Sequence, residues 1–197
     1  LVADGSLASL TGLMSRHYQG RETAGMQLMD EEELYQAMRR SYTRYMWTAV
    51  HAVGDRANRT TLNAYERLLR DRGIPRLLMR VEHAKALQDE DVQRFASLGV
   101  FAVGNPAHIP VDREYALRYL GAEARLLHRF GSLSEAGAKL SLASDAPAGS
   151  VNPLHGLYLA AASFNKWLRL WEIASGELVA EMVFPGSLNT LVLHPTQ

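Results

Sequence analysis

Cysteine is absent from all 197 residues, which excludes disulfide bridges and thiolate metal ligands; any metal must be held by histidine and carboxylate. The same absence fits a reducing compartment, and a cytoplasmic location is the expectation. Charge of one sign is also missing. The 21 Lys and Arg are balanced by 21 Asp and Glu, so the chain lacks the electrostatic footprint of a protein that binds nucleic acid or an anionic membrane. A small-molecule partner fits better. No run reaches the roughly 18 apolar residues of a membrane span, and the start carries no signal-peptide pattern. No Gly-x-Gly-x-x-Gly follows a strand, so Gly54 and Gly104 read as turn glycines, not as a phosphate cradle. An initial Met is missing too. Leu1-Val2-Ala3 reads as the end of a strand already under way, and the chain is expected to be an internal fragment. What is present is apolar content of 47%, enough for one sizeable core and a small appendage.

The first 160 residues alternate in an α/β manner. Asp30 and Glu33 form a capping-box start for a helix whose apolar side is Leu34, Met38, Tyr42 and Tyr45. A strand over 47–50 follows, then a helix over about 57–72 that buries Leu62, Tyr65, Leu68 and Leu69 and stops at Gly73 with Pro75 beyond. Residues 77–81 are the next strand, 89–98 a helix stopped by Gly99, and 100–103 an uninterrupted apolar strand of the kind buried on both faces. Short helices are expected over 115–120, 122–130 and 132–136, a strand over 140–143, and a further helix opening at Pro153. Met26, Met29, Met38 and Met46 read as core filler.

Three phrases place metal-capable side chains at the ends of apolar runs. They are Val50-His51-Ala52-Val53-Gly54-Asp55-Arg56, Arg80-Val81-Glu82-His83-Ala84 and Leu142-Ala143-Ser144-Asp145-Ala146-Pro147. In a parallel barrel such strand ends converge on one mouth, so groups about 30 and 60 residues apart become neighbours. Two imidazoles and a carboxylate suit zinc or a similar divalent ion. The bland alternatives are a structural or exposed histidine and a turn-initiating aspartate. His17, His128, His155 and His194 lack such a setting and read as surface or packing residues. By alternation alone the strands fit an open doubly wound sheet as well as a barrel.

With Ala3-Asp4-Gly5-Ser6-Leu7-Ala8-Ser9, His51-Ala52-Val53-Gly54-Asp55-Arg56-Ala57, Val81-Glu82-His83-Ala84, Asn105-Pro106-Ala107-His108, and Ser144-Asp145-Ala146-Pro147 followed by Asn152-Pro153-Leu154, the chain resembles the amidohydrolase superfamily. The resemblance is to amidohydrolase family 3, its YtcJ-like branch, over about residues 1–162. It implies a partial (β/α)8 barrel carrying about strands 4–8, with His51 ending strand five, His83 strand six and Asp145 strand eight. It implies that His51, His83 and Asp145 are metal ligands, that Asp145 is also the catalytic proton shuttle, and that one or two divalent ions, zinc foremost, are the cofactor. His108 is expected to contact substrate. Asp4, Asp55 and Arg56 are expected to organise the mouth, Asp55 by orienting a histidine or capping the following helix. The family's His-x-His pair and bridging lysine would fall before Leu1. The implied reaction is hydrolysis of an amide, N-acyl or cyclic amide C–N bond by a metal-activated water, with the fragment alone expected to bind metal poorly and turn over little. Deamination is the alternative chemistry, and an inactive fragment or interaction module the alternative class.

Residues 163–197 leave this pattern and form the second expected unit. The stretch from Lys166 to Val179 faintly resembles part of a WD-repeat blade, with strands flanking a Ser175-Gly176 turn. One blade cannot close a propeller, and a short β-hairpin tail is expected.

Overall fold

In the computed structural model, residues 1–71, 79–149 and 151–152 are described, together with the backbone of 167–171 and 178–183. Helix α1, Glu31–Tyr42, begins as its sequence dictates: the Asp30 side chain accepts from Glu33 N at 2.8 Å and the Glu33 side chain accepts from Asp30 N at 2.9 Å. Leu34, Met38 and Tyr42 are buried on its inner side. Tyr45 is not part of that stripe; it lies past the helix end with φ +57° and is 93% exposed.

Strand β1 (Thr48–Ala52) leads into α2 (Asp55–Arg70), β2 (Met79–His83) into α3 (Asp89–Leu98), and β3 (Phe101–Gly104) into a helical stretch that returns to β4 (Lys139–Leu142). The four strands are parallel and ordered β1-β2-β3-β4. Val2 adds a parallel bridge to His51 on the outer side of β1, with Ala3 N donating to His51 O at 2.9 Å and His51 N to Leu1 O at 3.0 Å. Each strand therefore lies beside its predecessor, with no reversal of order. A doubly wound sheet reverses at its switch point; a barrel wall does not. The observed order is that of a partial (β/α)8 barrel.

Alternation along the strands separates two faces. Val50, Val81 and Ala102 are fully buried against Leu34, Met38, Leu62, Tyr65, Leu68, Val92 and Phe95 of the helices, and the valines contribute about 1.5–3 kcal/mol each on burial. β1 runs two residues beyond its expected end, so His51 sits inside the strand and on the opposite face from Val50 and Ala52. A second apolar cluster, including Leu7, Met14, Tyr18, Val53, Ala86, Leu120 and Leu126, lies beyond the C-terminal ends of β1 and β2.

The segment after β3 departs most from expectation. Pro106–His108 forms a 3-10 turn continuing into α4 (Ile109–Tyr115), then a π-type turn at Ala116–Leu120 and a 3-10 turn at Gly121–Leu126, before α5 (Phe130–Glu135). Pro106 and Pro110 occupy first-turn positions, where the missing N–H costs nothing. Met38 is core and Met29 packs against it, whereas Met26 and Met46 are about half exposed. Strands β5 (Trp167–Trp171) and β6 (Leu178–Val183) pair antiparallel, as a hairpin requires. The expected helix at Pro153, the Ser175-Gly176 turn and the division between 162 and 163 lie outside the described residues. Among those residues no helix is long and apolar enough to cross a membrane.

Candidate metal centre

The C-terminal ends of the strands bring His83, His108 and Asp145 together, each offering a ligand atom within 4.8 Å of the other two. His83 is the last residue of β2, His108 ends the turn after β3, and Asp145 follows β4. Two of these three positions have left-handed backbones, with φ +71° at His83 and +56° at Asp145, and Ala84 follows at +41°. Such conformations cost about 1–3 kcal/mol each for non-glycine residues and cluster at functional sites.

His83 is oriented from behind. Its Nδ1 lies 2.7 Å from Asn105 Oδ1, and Asn105 Nδ2 donates to Ala143 O at 3.2 Å. Because the amide nitrogen is committed to Ala143, the oxygen faces the ring and Nδ1–H must donate to it, leaving the Nε2 lone pair free for an ion. Burial, and then the neighbouring His51, lower the His83 pKa to about 4, so the ring is neutral at pH 7. His108 is also lowered, by burial first and by Lys85 second. Its Nε2 stands 3.5 Å from Asp145 Oδ2, and its ring lies 6.2 Å from that of His83 at an interplanar angle of 20°. Two neutral imidazoles and a carboxylate form a donor set suited to zinc and similar ions.

His51 adjoins this trio but is not among its mutually close donors. Its ring meets His83 edge-on at 4.5 Å, while its Nε2 lies 2.9 Å from Gly5 O and 3.7 Å from Asp4 Oδ1. Asp4 is fully buried and accepts from Leu13 N, Val53 N and Gly54 N at 2.7–2.9 Å, which pins the N-terminal segment to the β1–α2 turn. Burial pushes its carboxyl up to about 6 against those three donors.

Among the described residues Asp55 bonds to no histidine, and the N-cap of α2 is Gly54. It is the first helical residue and binds Ser15 N at 2.8 Å, Ser15 Oγ at 2.6 Å and Gln88 Nε2 at 2.6 Å. Arg56 is exposed and, with Asp55, lines a separate cleft of about 530 Å³ between the starts of α2 and α3. The structure thus gathers His83, Asp145 and His108, places His51 and Asp4 next to them, and sets Asp55 and Arg56 apart. His17 is exposed as expected, and His155 and His194 lie outside the described residues. His128 is the packing residue of this group, its side chain 9% exposed and set against Asp112. Sequence reasoning quoted Asn105 within the phrase Asn105-Pro106-Ala107-His108 but gave it no role; its bond to the His83 ring is visible only in the structure.

The profile described as "Amidohydrolase family" matches residues 1–170. The chain belongs to the amidohydrolase family. It is 32% identical over 172 residues to Protein LONG AFTER FAR-RED 3 of Arabidopsis thaliana, covering 85% of this chain and 30% of that protein. It is 31% identical over 159 residues to the YtcJ protein of Bacillus subtilis (strain 168), with 80% and 30% covered. N-substituted formamide deformylase of Arthrobacter pascens is 34% identical over 116 residues, with 58% and 21% covered. Among solved structures, an uncharacterised metal-dependent hydrolase from Pyrococcus furiosus superposes with a TM-score of 0.73 at 28% identity, covering 81% of this chain and 33% of that one. This amidohydrolase chain therefore spans between 21% and 33% of the length of these relatives.

Proposed function

We propose that this amidohydrolase chain supplies the ion-holding residues of a divalent-metal hydrolase that cleaves C–N bonds of small amides, N-acyl compounds or cyclic amides. The observation that carries the reading is the convergence of His83, His108 and Asp145 at the C-terminal strand ends, within 4.8 Å of one another. The kinship with an N-substituted formamide deformylase favours an N-acyl substrate.

On this reading His83 and His108 hold the ion through neutral imidazole nitrogens and Asp145 through its carboxylate, with zinc as the first candidate. His51, whose ring is 4.5 Å from His83, is the adjacent donor for the same ion or a second one. When bound, such an ion lowers the pKa of a coordinated water from 15.7 to about 7 and polarises the scissile carbonyl. Asp145, with a side chain 38% exposed at the mouth, accepts the proton of the attacking water and returns it to the departing nitrogen. A C–O bond forms as the C–N bond breaks, giving an acid and an amine. Asn105 keeps His83 in its ligating tautomer, and Asp4 fixes the segment whose Gly5 carbonyl holds His51.

Because the chain covers 30% of the first relatives, the activity is proposed for the complete barrel, and the 197-residue chain alone is expected to turn over little. The test is a screen of N-formyl amines, N-acyl amines and cyclic amides, with zinc present, on the chain alone and on the chain within its complete reading frame. Amine release by the complete protein, abolished by Asp145→Asn and by chelation, is expected. Turnover that survives both treatments would remove the proposal.

A further inference from the structure

Behind His108 lies a buried charged cluster that the proposed chemistry does not use. Asp112, from α4, is 3% exposed and Lys85 is 6% exposed. Lys85 Nζ stands 2.9 Å from Asp112 Oδ2 and 3.2 Å from Oδ1, and His128 Nε2 lies 2.8 Å from the same Oδ2. The backbone closes the arrangement, since His128 N donates to Lys85 O at 2.8 Å. His128 reaches this position with a left-handed backbone, φ +51°. Three stretches of chain therefore meet at one carboxylate: the exit of β2, the helix carrying His108, and the segment before α5.

A buried charged cluster is a poor source of stability, since well-packed apolar side chains of similar volume do as well or better. What it supplies is a defined register. Asp112 follows His108 by four residues in a continuous helical stretch, so the two project from one face. Lys85 follows His83 by two residues. Holding Asp112 on Lys85 consequently fixes both the rotation and the advance of α4 relative to the strand end that presents His83. We propose that Asp112, clamped by Lys85 and His128, is a positioning residue that sets His108 against His83 and Asp145. The inference rests on the reading of His108 as a donor to the ion.

The experiment measures zinc affinity of the 197-residue chain by competition with a chromophoric chelator, using zinc ion alone as the probe. The variants are Asp112→Asn, His108→Ala and the two combined, with near-UV circular dichroism reporting the fold. Loss of a residue that orients a metal ligand typically weakens binding about 10–100-fold. Asp112→Asn is expected to show a loss of that size in the wild-type background and no further loss once His108 is alanine. Equal losses in both backgrounds would overturn the positioning role, because a general structural defect acts whether or not His108 is present. No loss from Asp112→Asn, with His108→Ala weakening binding, would overturn it as well. If His108→Ala alone leaves affinity unchanged, the assignment of His108 as a donor falls and takes this inference with it. Should Asp112→Asn fail to fold, the triple variant Lys85→Met, Asp112→Leu, His128→Phe carries the test: folded with weakened zinc binding supports the proposal, and folded with wild-type affinity overturns it.

Discussion

Replacing Gly54 by alanine should unlock the junction on which the mouth is built. Gly54 has φ −73° and ψ 157°, a conformation open to any residue, so its glycine is not required by backbone torsion. It is required by space: a Cβ there would lie 1.9 Å from Leu13 O and 2.2 Å from Leu13 C. Carbon and carbonyl oxygen settle at about 3.3–3.6 Å, so Leu13 must retreat by about 1.4 Å. Its carbonyl accepts from Arg56 N at 3.1 Å and Ala57 N at 3.3 Å, and its N–H donates to Asp4 Oδ2 at 2.7 Å. A shift of that size breaks all three. A buried polar group left unpaired costs about 1–3 kcal/mol, and with Arg56 N free to regain water the loss should be about 3–5 kcal/mol. That is a large part of a typical margin of about 5–15 kcal/mol. Gly131 is the control. It lies in α5 with nothing within 4 Å of an added Cβ, so Gly131→Ala should be neutral or stabilising by up to about 1 kcal/mol. Urea unfolding of the three proteins decides the matter. A Gly54→Ala variant within about 0.5 kcal/mol of wild type, the ordinary range for a surface change, would refute the close-approach argument.

Acid should destabilise the fold in the range where histidines ordinarily titrate. His83, lowered to about 4, and His108 and His128, also lowered, resist protons that the unfolded chain accepts below about 6.5. Their contribution is whole above that value and declines as pH falls. Asp4, raised to about 6, works in the opposite sense, its contribution being lost as pH rises through 6. Three lowered histidines set against one raised carboxyl predict a net loss of stability between pH 7 and 5; equal or greater stability at pH 5 by urea titration would contradict the assignment of neutral rings. Asn105→Ala should weaken zinc binding about 10–100-fold by freeing the His83 ring, and unchanged affinity would show that Asn105 does not orient a ligand.

The parallel wall was legible because its determinants are local. Val100 to Val103 is an unbroken apolar run, Asp30 and Glu33 cap α1 across three residues, and Gly99 ends α3 with φ +68° as its position suggested. The strand-end phrases marked His83 and Asp145 for the same reason. The stretch 106–115 was hidden because Pro106 and Pro110 break a helix interior but fit its first turn. Gly54 and Gly104 were read as turn glycines, yet each makes room for a distant group, Leu13 in one case and the Phe130 ring, 2.2 Å from an added Cβ, in the other. Partners far along the chain leave no local periodicity. Asp55 finds Ser15 and Gln88 at separations of 40 and 33 residues, and Asp112 finds Lys85 and His128 at 27 and 16. His108 was expected at the substrate, and nothing near it in sequence shows that its helix is pinned beside the exit of β2 through Asp112 and Lys85.

Metal content tests the central claim most directly. The chain within its complete reading frame is dialysed against zinc, freed of excess, and analysed for bound metal beside His83→Ala, His108→Ala, Asp145→Asn and the exposed control His17→Ala. One zinc per chain is predicted for wild type and His17→Ala, with X-ray absorption showing nitrogen and oxygen neighbours and no sulfur, and clear loss in the other three. Equal metal in all five proteins would contradict the site formed by His83, His108 and Asp145.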